Sequence, residues 1–321
     1  MRILVTGARG LLGSAVARQV LARGHECVVV QRHASGVAGA TEYLDDLSNP
    51  QHSTEWIAGV DAVIHLAAKV GIVGSRSEFE LINVDATRNL LSLARSQGVG
   101  RFVFASSPSV AHTGEPLVGV GATPAQPEQV RGFYSQTKAL AEIDVLAAHD
   151  IAFHTVALRP HLVWGPGDTQ LIGRIVDRAR AGRLFLVGSG EALIDTCYVD
   201  NAATAFVLAA ESTDAATGKA LMVTNGEPRT VKETLQRICR AANVNGPTKS
   251  VPVGAAAVAG AAIERVWAHR DSEPPLTSFL VEQLSTAHWF DISETKSILG
   301  WAPTVSLDEG FIRLSEYFAH Q

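Results

Sequence analysis

A tyrosine and a lysine stand four residues apart in the stretch YSQTK, which runs from Tyr134 to Lys138. The segment that follows, ALAEIDVLAA, has the character of a helix, and positions i and i+4 of a helix lie on one face, one turn apart. One interpretation is a surface pair, in which the lysine stem shields the tyrosine ring. The other is chemical, because an ammonium group one turn away stabilises a phenolate. The rest of the chain decides between them.

Three glycines near the N-terminus form a second chemical pattern. The apolar stretch RILVT is followed by TGARGLLG, which gives Gly7, Gly10 and Gly13 the spacing G-x-x-G-x-x-G. Between a strand and a helix, such glycines permit a tight turn, close approach of the backbone to a pyrophosphate, and packing of helix on strand. The N–H groups of the helix N-terminus, where Leu11 and Leu12 lie, then face the phosphates. The context predicts a dinucleotide site, with a purely structural turn as the alternative.

The end of the second predicted strand, VVVQRH, bears on the choice of cofactor. An NAD site usually places an acidic residue there, to accept hydrogen bonds from the ribose hydroxyls. Here Gln31 occupies that place and Arg32 follows, and an arginine can pair with a 2′-phosphate that a carboxylate would repel. Arg9, inside the glycine loop, adds a second positive charge. The sequence therefore favours NADP(H) over NAD(H), unless both arginines are merely solvated surface residues.

Short apolar stretches alternate with longer helical patterns in the first half of the chain. The predicted strands are RILVT, CVVVQ, DAVIHLAA, RFVFASS and FHTVALRP. The predicted helices are LLGSAVARQVLARG, a segment from about residue 79 to 97, and residues 134–148. Because the strands are apolar on both faces and alternate with helices, the chain is expected to be an α/β protein with a doubly wound parallel sheet of the Rossmann type.

The pattern changes after Pro160. Glycine and proline cluster in WGPGD, the strands RLFLVG, TCYV and ALMVTN are short, and helices are predicted at 201–211, 231–242, 255–267 and 307–318. We expect residues 1–160 to form the dinucleotide-binding domain that carries the catalytic residues. Residues 161–321 are then a smaller, mostly helical substrate-binding part, with a soft boundary and some chain crossing back to the sheet.

Composition excludes several classes of protein. The chain has 321 residues, 46% of them apolar and 18% charged, which is typical of a globular protein. Its formal net charge of -5 offers no basic field for nucleic acid. The cysteines Cys27, Cys197 and Cys239 are odd in number and far apart, so we expect no metal site and a reducing cytoplasm. The N-terminus enters a strand pattern directly, and we expect no signal peptide.

Taken together, these patterns resemble the extended short-chain dehydrogenases/reductases. Besides the glycine loop and YSQTK, the resemblance rests on HLAA, INVDATRNLL, FASSPSV and LRPHLVWGPGD, in the order and spacing of that family. It covers nearly the whole chain. It implies an NAD(P)-dependent enzyme that exchanges a hydride at a secondary alcohol or ketone, and a homodimer that packs through two helices flanking the sheet.

The resemblance assigns roles to the catalytic residues. Tyr134 is the general acid/base, and Lys138 lowers the pKa of its phenol, which is near 10 when unperturbed, with the cationic oxidised nicotinamide adding to the effect. At about 4 Å and an effective dielectric of about 20, one such charge contributes on the order of 4 kcal/mol before desolvation. Ser107 donates a hydrogen bond to the carbonyl oxygen. Its neighbour Ser106 is the rival, and strand alternation should point the two in opposite directions.

Further contacts follow from the same resemblance. Asn83 matches the asparagine of the family's NVxGT segment, where it supports the lysine or its water and the cofactor, although Ala86 replaces the glycine; a capping or sheet-edge asparagine is the alternative. The implied cofactor contacts are Gly7, Arg9, Gly10, Leu11, Leu12, Gly13, Gln31, Arg32, Asp46, Leu47, Leu66, Ala67, Ala68, Lys69, Tyr134, Lys138, Arg159 and Pro160. The implied substrate contacts are Ser107, Pro108, His161 and Trp164, although Trp164 also fits a core position. Asp200 is predicted to cap a helix.

Within the family, SSPSV, YVDNAA, TNGEP and ILGWAP look most similar to the 3β-hydroxysteroid dehydrogenase branch, and especially to the bacterial 2-alkyl-3-oxoalkanoate reductases of olefin biosynthesis. The resemblance implies a small hydrophobic 3-oxo or 3-hydroxy substrate. The longest apolar run, residues 251–263, is too short to span a bilayer, and it lies in the apolar stretch 251–267. It is expected to be either a packing helix or a helix at the substrate entry that associates weakly with a membrane surface.

Two other functions stay open at this point. A nucleotide-sugar epimerase needs a basic set that clamps a diphosphate, and Arg174, Arg178, Arg180 and Arg183 look more like a solvated helix face. A dehydratase would carry acidic residues beside the serine, whereas Pro108 follows Ser107. The alternative from another class is a non-catalytic NADP(H)-sensing regulator. Such proteins commonly lack the tyrosine or the lysine that this chain retains.

Overall fold

The computed structural model describes residues 1–49, 54–71, 73–212, 217–267 and 274–321. Its strands are β1 (Arg2–Thr6), β2 (Glu26–Gln31), β3 (Thr41–Leu44), β4 (Ala62–His65), β5 (Arg101–Ala105), β6 (Leu117–Val120), β7 (His154–Pro160), β8 (Val163–Trp164), β9 (Leu186–Val187), β10 (Leu193–Ile194), β11 (Cys197–Tyr198), β12 (Lys219–Val223), β13 (Arg229–Thr230), β14 (Ser250–Val251) and β15 (His288–Phe290). Its α-helices are α1 (Leu11–Ala22), α2 (Arg76–Glu80), α3 (Ala86–Ser96), α4 (Phe133–Ala147), α5 (Ile172–Arg180), α6 (Val199–Glu211), α7 (Val231–Ala241), α8 (Val253–Trp267), α9 (Ser278–Ser285), α10 (Ser293–Leu299) and α11 (Leu307–Ala319).

Seven strands form the central sheet, in the order β12-β7-β5-β4-β1-β2-β3, and all neighbours are parallel. The order reverses between β1 and β4, which places the carboxyl ends of these strands at a cleft where parallel sheets bind ligands. The doubly wound sheet predicted from the sequence is confirmed.

Both faces of the sheet are buried, which explains the continuous apolar strands. On β1, Ile3 and Val5 belong to one hydrophobic cluster with α1 and α6, while Leu4 points to the other face. There it joins residues of α3 and α4. Because successive side chains of a strand alternate between faces, each strand must be apolar at every position to fill two cores.

Two elements of the first half differ from the sequence-based expectation. The helix expected from about residue 79 begins at Arg76, where Ser75 and Glu78 form a capping box, and a π-helical turn over Leu81–Asp85 separates α2 from α3. The edge strand β3 was not expected, because its sequence TEYL has no pattern that predicts a strand. It is largely exposed and carries a glutamate, as edge strands often do.

The second half of the chain forms small sheets and helices at the carboxyl edge of the central sheet. The minor sheets have the orders β13-β10-β15-β6, β11-β8 and β14-β9. However, β12 completes the central sheet and α6 packs on α1, so this half also contributes to the core of the first. The division at residue 160 stays a prediction. In the described ranges, no helix has the length and apolar character needed to cross a bilayer.

One helix start corrects the sequence analysis. Asp200 was expected to cap α6, but the capping position is Tyr198 and the helix begins at Val199. Asp200 therefore lies in the first turn, where its carboxylate accepts a hydrogen bond from Arg313 at 3.3 Å. A carboxylate there still interacts favourably with the positive end of the helix dipole.

Candidate active site

The glycine loop has the geometry that a pyrophosphate requires. Gly7 has a positive φ of 73°, and a Cβ placed on it would lie 2.8 Å from the backbone nitrogen of Ala67. A Cβ on Gly13 would lie 2.2 Å from the Gly7 carbonyl oxygen, so helix and loop approach as closely as the backbone allows. Gly10 is different, because a Cβ there would meet only the Gly7 oxygen, at 3.4 Å. The space beside Gly10 is left for a ligand, and the loop fits a dinucleotide.

The helix N-terminus behind this loop is also suited to an anion. Gly10 precedes α1 without a side-chain cap, and the first turn contains no acidic residue. Leu11 and Leu12 are half-buried and pack their side chains on the core, as does Leu66 across the cleft. The backbone N–H groups of Leu11 and Leu12 belong to the first turn of α1 and face the cleft, where the helix dipole favours a negative charge.

Gln31 supports the glycine loop. Its side-chain oxygen accepts a hydrogen bond from the backbone N–H of Arg9 at 2.8 Å. Its side-chain nitrogen donates to a carboxylate oxygen of Glu42 on β3 at 3.0 Å. Hydrogen bonds from Ser35 hold the pKa of the Glu42 carboxyl below its ordinary value, so it is ionised at neutral pH. An acidic group therefore does stand near the end of β2, although it comes from the neighbouring strand.

Arg32 lies next to the segment that was expected to flank the adenine. Burial alone would raise the pKa of the Asp46 carboxyl, but hydrogen bonds from Ser48 and the charge of Arg32 hold it below its ordinary value. Leu47 is buried in the core beneath this turn. The end of β2 therefore has Arg32 near the Asp46 carboxylate, and Glu42 bonded to Gln31.

The turn after β4 forms the other wall of the cleft. The hydroxyl of Thr6 accepts hydrogen bonds from the backbone N–H groups of Leu66 and Ala67, both at 3.1 Å. Ala68 and Lys69 continue this half-buried turn, and the Lys69 ammonium lies 3.6 Å from the Glu78 carboxylate. Thr6 thus ties the end of β1 to the turn, a role that sequence reasoning missed because a strand-terminal threonine has no distinctive pattern.

Asn83 braces this wall against α4. It lies in the π-helical turn, and its side chain accepts from the Lys69 N–H at 2.7 Å and donates to the Lys69 carbonyl at 3.0 Å. It also donates to the Thr137 hydroxyl at 3.0 Å. Among the hydrogen bonds of the described residues, Asn83 makes none directly to Lys138, so its support of the lysine through a water stays a prediction. Its own hydrogen bonds position the turn of the cofactor cleft.

Replacing Asn83 with alanine should therefore loosen the cleft wall. The Lys69 N–H loses its partner in a half-buried setting, which costs on the order of 1–3 kcal/mol of unfolding free energy. We expect the KM for the cofactor to rise more than kcat falls, measured by steady-state kinetics beside thermal denaturation. A mutant with unchanged stability and unchanged KM would contradict this role. Asn245→Ala, at an exposed position in the loop after α7, is a control.

Tyr134 and Ser107 meet at the carboxyl edge of the sheet. Tyr134 lies in the first turn of α4, and Ser107 follows β5 and caps a 3₁₀ turn over Pro108–Ala111. Both side chains line the same large cavity, and Ser107, whose hydroxyl lies 3.0 Å from that of Ser109, is near enough to lower the pKa of the Tyr134 phenol. Ser106 is buried and does not line that cavity. The structure brings the preferred serine to the tyrosine and leaves its rival outside.

Lys138 lies one turn further along α4 and is buried. Its ammonium sits 3.8 Å from the centre of the Phe104 ring. Burial lowers the pKa of the Lys138 ammonium to about 7, although the charge of Glu142 opposes the shift. At neutral pH the lysine therefore titrates, as expected of a group that takes part in acid–base chemistry.

The pKa of the tyrosine departs from the expectation. Enclosure by the protein raises the pKa of the Tyr134 phenol, and the nearby Ser107 hydroxyl lowers it only in part. The sequence analysis predicted that Lys138 lowers it, and the protein's own groups do not achieve this because desolvation dominates. The phenol is consequently protonated at neutral pH, the form that donates a proton.

Glu142 and Arg159 form a buried ion pair behind the catalytic helix. The Arg159 guanidinium donates to the two Glu142 oxygens at 2.8 and 2.5 Å and to the Thr123 carbonyl at 2.7 Å. Arg159 does not line the cavity, whereas Pro160 does. The contact of Arg159 with the cofactor stays a prediction, since its side chain is committed to α4. Sequence reasoning missed Glu142, because its partner Arg159 lies on a separate element, the strand β7.

The cavity has a volume of about 1590 Å³ and is lined mainly by apolar side chains. This exceeds the roughly 300–1,000 Å³ of common ligand pockets. Of the expected substrate contacts, Ser107, Pro108 and His161 line it. Trp164 does not. It is buried in the core, where its ring stacks on Phe311 at 4.7 Å, and the expectation of a substrate contact is corrected.

The cysteines, possible metal ligands and helix α8 complete the groups for which the sequence raised an expectation. Cys27, Cys197 and Cys239 are free and buried. No cluster of three or more acidic, histidine or cysteine side chains suited to a metal occurs in the described ranges. Helix α8 forms one wall of the cavity through Ala256, Ala259 and Ile263, while much of its remaining surface is exposed.

Comparison with known proteins places this site in a family. A family model described as "NAD dependent epimerase/dehydratase family" matches residues 3–223. The chain belongs to this family. The resemblance to extended short-chain dehydrogenases/reductases drawn from the sequence is thereby confirmed.

Relatives within the epimerase/dehydratase family span nearly the whole chain. A 2-alkyl-3-oxoalkanoate reductase of Stenotrophomonas maltophilia is 42% identical, over 98% of this chain and 98% of that protein. A protein of the same name from Shewanella oneidensis is 36% identical, over 97% and 84%. The mouse sterol-4-alpha-carboxylate 3-dehydrogenase, decarboxylating, is 31% identical, over 98% and 90%.

Solved structures of this family support the fold. MoeE5, in complex with UDP-glucose and NAD, has a TM-score of 0.75 and 24% identity, covering 100% of this chain and 99% of that one. The UDP-glucose 4-epimerase of Thermotoga maritima has a TM-score of 0.75 and 22% identity, over 100% and 99%. At these identities the likeness concerns the fold alone.

Proposed function

We propose that this protein is an NAD(P)-dependent oxidoreductase that exchanges a hydride at C3 of a hydrophobic 3-oxo or 3-hydroxy acid. The observation that carries the proposal is that Tyr134 and Ser107 both lie at the wall of a large apolar cavity, where Ser107 is near enough to lower the pKa of the Tyr134 phenol. The names of the relatives point to the same chemistry, since both reductases are named for a 3-oxoalkanoate and the sterol enzyme for a 3-dehydrogenase.

The residues divide the reaction between them. The bound nicotinamide cofactor supplies the hydride in the reductive direction. The Ser107 hydroxyl donates a hydrogen bond to the carbonyl oxygen, where negative charge develops. The protonated Tyr134 phenol transfers its proton to the same oxygen, which completes the alcohol. Lys138, with a pKa of about 7, stabilises the phenolate that remains and favours its reprotonation. In the oxidative direction, the same phenol receives the proton.

The cavity fits a substrate with long apolar groups. Its walls include side chains from α5, α7, α8 and α9 that are predominantly aliphatic or aromatic. These are Ile175, Leu235, Ile238, Ile263, Phe279, Leu280 and Leu284, and Leu171 joins them from the residue before α5. Burying alkyl chains against them contributes about 0.8 kcal/mol for each CH₂ group. A 2-alkyl-3-oxoalkanoate carries two such chains.

We propose further that NADP(H) is preferred over NAD(H). Arg32 supplies the positive charge for a 2′-phosphate, and Arg9 lies in the adjacent loop. The nearby carboxylate of Glu42 works against this preference by repulsion. The preference thus depends on whether the attraction of the 2′-phosphate to Arg32 exceeds its repulsion by Glu42.

Two substitutions test this balance in opposite directions. Arg32→Ala should raise the KM for NADPH about tenfold or more and leave the KM for NADH nearly unchanged, because a lost phosphate contact is worth about 1.5–3 kcal/mol. Glu42→Gln should lower the KM for NADPH by removing the repulsion while the hydrogen bond from Gln31 can persist. Equal changes in the KM for NADPH and for NADH in either mutant would mean that the 2′-phosphate does not lie beside Arg32 and Glu42.

A nucleotide-sugar epimerase remains the second candidate, because Arg174, Arg178 and Arg183 line the cavity. A panel of substrates separates the functions. We expect NADPH to be consumed with 2-alkyl-3-oxo acids or 3-oxo steroids and not with UDP-sugars. Epimerisation of a UDP-sugar without net cofactor consumption would favour the alternative. Tight binding of NADPH with no turnover of any compound would indicate a regulator.

A further inference from the structure

A second serine hydroxyl lies beside that of Ser107 at the cavity wall. Ser109 stands two residues further along the chain, and its Oγ atom is 3.0 Å from the Oγ atom of Ser107. The backbone N–H of Ser109 also donates to the Ser107 Oγ atom, at 3.2 Å. Ser109 is half-buried and lines the same cavity as Ser107 and Tyr134. Two coupled hydroxyls, rather than one, therefore stand at this part of the wall.

The local sequence makes this serine pair rigid. Pro108 separates the two serines and begins the 3₁₀ turn over Pro108–Ala111. A proline ring fixes its own φ at about −65° and keeps the preceding residue in extended backbone. Ser107 accordingly has a φ of −154° and a ψ of 148°. Because the backbone holds both residues in this way, little rotational freedom is lost when the two hydroxyls meet.

A count of protons shows how the pair must be arranged when a ketone is bound. A serine hydroxyl has one proton and two lone pairs. The carbonyl oxygen of a ketone only accepts, so Ser107 must give its single proton to that oxygen. One lone pair of the Ser107 oxygen accepts from the Ser109 N–H, and the other is left for the Ser109 hydroxyl. In the described part of the chain, the Ser109 hydroxyl makes no other hydrogen bond.

We propose that Ser109 is a positioning residue, whose hydroxyl donates to Ser107 and directs the Ser107 proton at the carbonyl oxygen of the substrate. The proposal rests on the proposed function, in which this oxygen gains negative charge as the hydride arrives. Hydrogen bonds in a chain polarise one another, so donation from Ser109 makes the Ser107 hydroxyl a stronger donor. The gain is largest in the transition state, where the oxygen carries most charge. Ser109 thus acts more strongly on kcat than on KM.

Steady-state kinetics with a 2-alkyl-3-oxo acid and NADPH test this role. Ser109→Ala keeps the backbone N–H and removes only the hydroxyl. Its kcat should fall about tenfold, while KM rises by no more than about threefold and Tm stays nearly unchanged. Ser109→Thr returns a hydroxyl and should restore most of the rate. An unchanged kcat in Ser109→Ala would overturn the inference.

The chain offers a matched control for this substitution. Ser75 and Ser77 form a serine pair of the same spacing, with their Oγ atoms 2.9 Å apart, at the exposed start of α2. Neither residue lines the cavity. Ser77→Ala therefore removes one hydroxyl of an equivalent pair, and we expect it to leave kcat unchanged.

A double-mutant cycle shows whether Ser109 acts through Ser107. Ser107→Ala should lower kcat about 10²- to 10³-fold, as the loss of one donor to a developing oxyanion usually does. If Ser109 only positions Ser107, adding Ser109→Ala to Ser107→Ala should cause no further loss. A further tenfold loss would show that Ser109 meets the substrate by itself, and it would overturn the inference.

Equilibrium binding separates this inference from the proposed function. In the presence of NADP⁺, which cannot reduce a ketone, a 2-alkyl-3-oxo acid and the same acid without its C3 oxygen are titrated into the protein by calorimetry. The preference for the 3-oxo acid reports the hydrogen bond to its carbonyl. Ser109→Ala should lower this preference about threefold, and it should have no effect when Ser107→Ala is also present. A preference that depends on both serines, without hydride transfer from NADPH, would refute the proposed function and leave the serine pair standing.

Discussion

Replacing Tyr134 with phenylalanine should lower kcat for reduction of a 3-oxo acid by about 10²- to 10⁴-fold, the usual contribution of a positioned general acid. The phenol lies at the cavity wall beside Ser107, and burial keeps it protonated at neutral pH. Phenylalanine fills the same space, so the cavity and the glycine loop should keep their shape. Cofactor binding, followed by the fluorescence of NADPH, should stay close to that of the wild type.

A matched control uses another tyrosine. Tyr317 lies on α11, where its ring contacts Phe318, and Tyr317→Phe should leave kcat unchanged. A Tyr134→Phe mutant with the wild-type rate would show that another group donates the proton. Loss of rate together with loss of NADPH binding would show instead that the substitution disturbs the cleft.

Two alanine substitutions in the glycine loop should produce different losses. A Cβ on Gly10 meets only one protein atom, at 3.4 Å, but stands where the pyrophosphate would approach. We expect Gly10→Ala to weaken cofactor binding by about tenfold or more, equivalent to about 1.4 kcal/mol, with a nearly unchanged Tm. A Cβ on Gly13 would clash at 2.2 Å with the Gly7 carbonyl. Gly13→Ala should therefore lose both cofactor binding and thermal stability.

Calorimetric titration with NADPH and thermal denaturation of the same samples separate the two effects. Gly254→Ala, at a position where a Cβ would meet no atom within 4 Å, is the control for a glycine-to-alanine change. If Gly10→Ala binds the cofactor as tightly as the wild type, the pyrophosphate does not lie over the loop. If Gly13→Ala keeps its Tm, the helix is able to shift away from the loop.

Local patterns were sufficient to predict the frame of the protein. Strands buried on both faces must be continuously apolar, and RILVT, CVVVQ and RFVFASS meet that condition. The glycine loop and YSQTK could be recognised because their geometry arises within one turn and one helix. The spacing of Tyr134 and Lys138 therefore placed both on α4 before any contact between elements was known.

Contacts between distant segments could not be predicted in the same way. Glu42 reaches the end of β2 only because β3 pairs beside it, and no signal in TEYL indicates that pairing. Asn83 acts on Lys69 and Thr137, which are 14 and 54 residues away. Trp164 was ambiguous because an aromatic residue after a strand fits a pocket and a core equally well.

The electrostatics of the site also depend on burial that the sequence does not reveal. A lysine four residues from a tyrosine suggests attraction between charges, and this effect alone would lower the pKa of the phenol. The structure adds desolvation, which raises the pKa of Tyr134 and lowers that of Lys138 to about 7. The protein by itself thus holds a proton donor rather than a phenolate.

The most direct measurement follows a single hydrogen atom. A 2-alkyl-3-hydroxy acid that carries deuterium at C3 is incubated with the protein and NADP⁺, and the reduced cofactor is examined by mass spectrometry. Hydride exchange at C3 predicts one deuterium in the NADPH and none after Tyr134→Phe within the same time. Reduced cofactor without deuterium, or conversion of a UDP-sugar while the labelled acid stays intact, would contradict the account.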